Sequence, residues 1–153
     1  EIIKNSWQEL GVKTEIDLVS IPQIGGSIIK RRNFEALLYG QIVGADPDPY
    51  MLWHSSQAGG NGLNISNYAS KEVDALLEDA RLSLKEDEKN SKYYKFQEII
   101  TSEIPAIFLC SPFYTYVQNK KVKGFETKNI FSPRDRFSGI DSWYVKTKKK
   151  LVW

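Results

Sequence analysis

The chain has 153 residues, 26% of them charged, with a net charge of +2, four Trp, eight Tyr and a single Cys. That length suffices for one core removing roughly 70% of the unfolded surface from water, and no apolar run approaches the roughly 20 residues of a membrane-spanning helix. Cys110 has no partner for an internal disulfide, and one His with one Cys excludes the spaced ligand sets of a zinc site.

Charge is unevenly placed. Residues 119–153 hold ten Lys/Arg against three Asp/Glu, and residues 1–118 hold eleven against sixteen. The basic end, including "KTKKK" (Lys146 to Lys150), has no paired arginines or aromatic platform beside it, so it reads as a solvated terminus and no nucleic-acid partner is expected. The sequence opens on Glu1 and its single Met is Met51, so the start of translation and any export signal are expected to lie elsewhere.

In chain order, Ile2, Ile3, Trp7 and Leu10 have helical spacing, and Gly11 stands where a left-handed cap is wanted. "VKTEIDLVS" (12–20) alternates and predicts a strand with one wet face. A short helix over 22–32 begins at Pro22, although Gly25 and Gly26 weaken it. "FEALLYG" (34–40) predicts a buried strand, followed by a long loop from about Gly40 to Tyr68. Ser70 caps a helix whose apolar face is Val73, Leu76, Leu77 and Ala80. Asp87 opens a second helix reaching Glu103, with Tyr93, Phe96, Ile100 and Ile104 as its buried stripe and Pro105 as its stop. "AIFLC" (106–110) and "FYTYVQN" (113–119) predict two strands about a turn at Ser111 and Pro112, "KKVKGF" a basic turn, and "SWYVKT" a last short strand. The expectation is one α/β domain over 1–153, a mixed sheet flanked by helices.

Function is expected in the loop. "GADPDPYMLWHSSQAGGNGLN" (44–64) holds two acids, two prolines, a Trp and the only His. His54 beside Ser55 or Ser56, with Asp46 or Asp48 near, offers the parts of a hydrolase, but triads are assembled by geometry and not by adjacency. Asp46 and Asp48 lack the ligand alternation of an EF-hand, and two residues apart they give no opposed glycosidase pair. No metal or cofactor is expected. Pro47 and Pro49 each fix their own φ and bias the preceding Asp toward extended geometry, and a loop stiffened in advance loses less entropy on binding. Such a loop suits an extended ligand bearing an amine, with Asp46 or Asp48 meeting the ammonium and Trp53 or Tyr50 covering apolar groups. Core packing is the competing role for Trp53.

Six stretches, "WQELGVKTEIDLV", "RRNFEALLYG", "DPDPYMLWHSSQ", "NYASKEVDALLEDAR", "EIPAIFLCSPFYTYV" and "VKGF", together resemble in order and spacing the family 5 extracellular solute-binding proteins, the oligopeptide, dipeptide and nickel receptors of ABC importers. The resemblance runs from about Ile2 to Tyr144. It implies a two-lobed periplasmic-binding-protein-like (type II) fold of which this chain is most of the C-terminal lobe, the N-terminal lobe lying outside it. It also implies a protein that is not an enzyme, located outside the cytoplasmic membrane, free or lipid-anchored, with a peptide or small solute as ligand and an ABC permease as partner. Where the family's pattern is Gly-Trp-x-x-Asp, this chain has Gly40, then Gln41 in place of the Trp, and Asp46 as the nearest Asp, two residues late. The resemblance thus places Gly40, Gln41, Ile42 and Val43 with their backbone toward the ligand and Asp46 on its amino terminus, and leaves "VDALLEDAR" as structural helix.

Overall fold

The computed structural model describes residues 1–126 and 130–147, which form two compact units. The first takes in residues 1–38 and 49–105, and the second residues 39–48 with those from 106 onward. Of the basic end, Lys148, Lys149 and Lys150 lie outside the described residues.

The first unit is helical. Helix α1 (Ile2–Glu9) ends as its sequence requires. Gly11 takes φ 80°, its N–H reaches the Gln8 carbonyl at 2.9 Å, and the Val12 N–H reaches that of Trp7 at 2.9 Å. These two bonds satisfy carbonyls that the helix end leaves open, and a Cβ at the left-handed position would add strain. Helix α2 (Ile21–Gln23) carries Pro22 in its first turn and widens into a π-turn over Ile24–Ile29, the stretch containing Gly25 and Gly26. Helix α3 (Tyr50–Trp53) and a 3-10 turn (Ser55–Gln57) fall within the expected loop.

Helices α4 (Lys71–Leu82) and α5 (Glu86–Glu103) pack as a hairpin around Val73, Leu77, Ala80, Tyr93, Phe96 and Ile100, the buried hydrophobic cluster of the described residues. Ser70 accepts the Val73 N–H, and Glu72 and Asp74 sit in the first turn where the helix dipole favours negative charge. The N-cap of α5 is Lys85, with Asp87 inside the first turn. Lys92 clasps the hairpin bend, its Nζ donating to the Asp79 carbonyl at 3.0 Å and to Ser83 Oγ at 2.8 Å. Ile104 is not part of the buried stripe: it is the left-handed C-cap of α5, with φ 50°, and is exposed.

The second unit contains the one regular sheet among the described residues, an antiparallel pair of β1 (Val122–Lys123) and β2 (Tyr144–Val145). It has an aromatic centre in which Phe125 lies 5.4 Å from Tyr116 and 5.6 Å from Trp143, and Phe137 lies 6.0 Å from Trp143. Arg136 donates to Tyr114 Oη at 2.7 Å and lies 4.5 Å above the Phe137 ring. Gly124 is left-handed, φ 81°, and a Cβ there would stand 2.3 Å from the Ser142 carbonyl oxygen.

The expected mixed sheet is not formed among the described residues. Residues 12–20, 34–40, 106–110 and 113–119 contain no strand, and "SWYVKT" alone supplies one, with "KKVKGF" giving its partner β1 instead of a plain turn. A strand exists only as a partner in a ladder, so period-two sequence without a hydrogen-bonded neighbour stays irregular. The apolar residues of these segments are accordingly in solvent: Leu18 is 90% exposed, Val117 86% and Phe113 99%.

Candidate functional site

Gly40, Gln41, Ile42, Val43, Asp46 and Asp48 all lie in the second unit. Gly40 to Val43 run without helix or strand and are exposed. Asp46 turns back on its own backbone, its Oδ1 accepting the Asp48 N–H at 3.1 Å. This Asx turn, with Pro47 inside it and Pro49 after it, bends the chain in a loop for which the sequence predicts only stiffness. The Asp46 side chain is exposed and Asp48 is half-buried.

Trp53 belongs to the first unit, on α3, and packs against the hairpin core with its ring centroid 6.2 Å from Tyr68 and 6.2 Å from Phe96. Tyr50 is stacked on His54 at 4.1 Å, and the Arg81 guanidinium covers its ring at 3.7 Å. Both aromatic residues therefore have packing roles in this structure.

His54 is buried, with two different neighbours on its two nitrogens. Nδ1 accepts the Ser56 N–H at 3.0 Å and lies 2.8 Å from Ser56 Oγ. Accepting a backbone N–H requires a bare Nδ1, which puts the ring hydrogen on Nε2, 3.2 Å from Glu78 Oε1. Asp74 lies one turn before Glu78 on α4, its Oδ1 3.8 Å from Nε2. It receives the Ser55 N–H at 2.8 Å and the Ser55 hydroxyl at 2.5 Å. The two hydroxyls proposed as nucleophiles are thus divided, Ser55 to Asp74 and Ser56 to His54. The single Nδ1 lone pair is engaged by the backbone of Ser56, which makes His54 the cap of the Ser55–Gln57 turn.

Sequence reading missed Asp74 and Glu78, whose i, i+4 spacing on α4 was the available signal. It also missed Asn64 and Arg32. Asn64 is fully buried and its Nδ2 faces the carbonyls of Trp53 (3.3 Å), His54 (3.2 Å) and Tyr68 (2.8 Å). Arg32 Nη2 donates to the Gly62 and Asn64 carbonyls, each at 2.9 Å. Together these bonds shape residues 54–68, which lack a ladder or a long helix of their own to satisfy their backbone.

No family model matches the chain, and no solved structure matches it. Among curated proteins it is similar to the oligopeptide-binding protein AppA of Bacillus subtilis, 22% identical over 149 residues, covering 94% of this chain and 26% of that protein. It is 28% identical over 127 residues to the peptide transport periplasmic protein SapA of Haemophilus influenzae, covering 81% of this chain and 22% of that one. Over 89 residues it is 33% identical to the probable D,D-dipeptide-binding periplasmic protein DdpA of Escherichia coli, covering 56% of this chain and 16% of that one. These similarities agree with the resemblance to family 5 extracellular solute-binding proteins read from the sequence. The chain spans about a quarter or less of the length of these three relatives.

Proposed function

We propose that this chain is most of the C-terminal lobe of the substrate-binding component of an ABC importer, which captures peptides outside the cytoplasmic membrane and hands them unaltered to a membrane permease. The observation that carries this reading is that the three relatives named above are all described as peptide or dipeptide binders or transporters. The proline-braced acidic bend supports it from the residues upward, since Asp46 is exposed on a turn that its own carboxylate fixes. Gly40 to Val43 offer exposed backbone for an extended ligand and Asp46 the counter-charge for its ammonium, with Asp48 on the same bend.

Isothermal titration of the full-length protein with tripeptides tests the reading. Asp46→Asn should weaken binding by about ten-fold or more, in line with a charge-assisted hydrogen bond of about 1.5–3 kcal/mol. Unchanged affinity would remove Asp46 from the site, and absence of peptide binding in the wild type would remove the function. Residues 1–153 alone should bind far more weakly than the whole protein, because half the ligand surface would stay wet.

A further inference from the structure

The first unit holds a buried ionisable group outside the acidic bend, His54. We propose that His54 is a proton-operated latch on the Ser55–Gln57 turn, closed while Nδ1 is bare and released when the ring takes up a second proton.

The geometry fixes which bond is at stake. Glu78 and Asp74 from α4 face Nε2, which carries hydrogen in both protonation states, so the 3.2 Å bond to Glu78 survives protonation. Tyr50 from α3 covers one face of the ring and carries Arg81 of α4 on its far side. The one atom whose role inverts is Nδ1, which passes from acceptor to donor. Ser56 Oγ can turn a lone pair toward the new hydrogen, but the Ser56 N–H, 3.0 Å away, can only donate, and the two hydrogens then point at each other. Glu78 and Asp74 attract the added charge. The Glu78 carboxylate is largely in solvent, so its pull is screened, and Asp74 is already engaged by both Ser55 donors. Loss of the Ser56 bond uncaps the Ser55–Gln57 turn while leaving α4, which is held by its own core face, in place.

Hydrogen exchange of the full-length protein, read by mass spectrometry at about pH 5.5 and pH 7.5 and scaled for intrinsic chemistry, spans the range in which histidine ordinarily changes charge. The Ser55–Ala58 amides should exchange at least about ten-fold faster at the lower pH, with α4 amides from Leu77 to Leu82 unchanged. His54→Gln keeps an acceptor for the Ser56 N–H but does not titrate, so its profile should be flat. No acid loosening in the wild type, or loosening that persists in His54→Gln, overturns the proposal. Should that variant fail to fold, the wild-type profile decides: loosening confined to residues 54–58 upholds the latch, and loosening spread through α4 overturns it.

Discussion

Asn64 and Tyr68 hold each other through both ends of one carboxamide, the Asn64 Nδ2 donating to the Tyr68 carbonyl at 2.8 Å and its Oδ1 accepting the Tyr68 N–H at 3.2 Å. The same Nδ2 faces two further carbonyls, so the site needs a donor and an acceptor on one small planar group. Asn64→Ala should cost about 2–4 kcal/mol, since several buried partners lose their bonds at once. Asn64→Asp should be no better, because a carboxylate would face three carbonyl oxygens. Urea unfolding of the two variants checks this, and wild-type stability of Asn64→Asp would refute the assignment.

The hairpin core gives a second expectation. Leu77 is fully buried between α4 and α5, and Leu77→Ala should destabilise by about 2–5 kcal/mol. Tyr94, on the exposed side of α5, should tolerate Ala within about 0.5 kcal/mol. Similar denaturation midpoints for the two variants would contradict this division of the helix.

Gly62 and Gly60 should part company when each is replaced by Ala. A Cβ on Gly62 would lie 2.0 Å from the Gln57 carbonyl oxygen, inside a segment pinned by Arg32 and Asn64. Gly60 has open space around it and only its φ of 53° to contend with. Gly60→Ala should therefore cost about 1–2 kcal/mol, the usual penalty of a left-handed residue, and Gly62→Ala distinctly more. Thermal melts of the pair decide, and an equal loss would show that residues 57 and 62 separate freely.

Asp135 and Tyr68 make pH-dependent contributions of opposite sense. The Ser132 N–H, then the Ser132 hydroxyl, hold Asp135 below its ordinary 3.8, so its contribution is full above that value and is lost as pH falls through the lower folded-state value. Burial, then the hydrogen bond to Glu103, raises Tyr68 above its ordinary 10.0. The contribution of Tyr68 is full below pH 10 and is lost as pH rises through the raised value. Stability followed against pH should show both limbs. Asp135→Asn should flatten the acid one and Tyr68→Phe the alkaline one, and a variant that leaves its limb unchanged discounts that residue.

Legibility in the sequence followed the range of the forces involved. Helices α4 and α5 could be read from Val73, Leu77, Tyr93, Phe96 and Ile100 because helical bonds are local and the apolar spacing names the packed face. The stiffening of the loop by Pro47 and Pro49 was legible because proline geometry is also local, whereas the Asx turn of Asp46 emerged only in the structure. Residues 12–20 and 106–119 carry strand sequence, but pairing is settled by partners distant in the chain, which no period reveals. Asn64 was invisible for a related reason: in "NGLN" it looks like any turn residue, and only the convergence of three carbonyls from Trp53, His54 and Tyr68 gives it its role.

The exposed run from Ile107 to Val117 has a practical corollary. Phe113 and Val117 present large apolar side chains to solvent on a segment without helix or strand, and exposed apolar surface of this kind invites a second molecule to cover it. Purified by itself, the chain should scatter more light as its concentration rises. A lysine at Phe113 should keep it colloidally quiet without touching the helical hairpin.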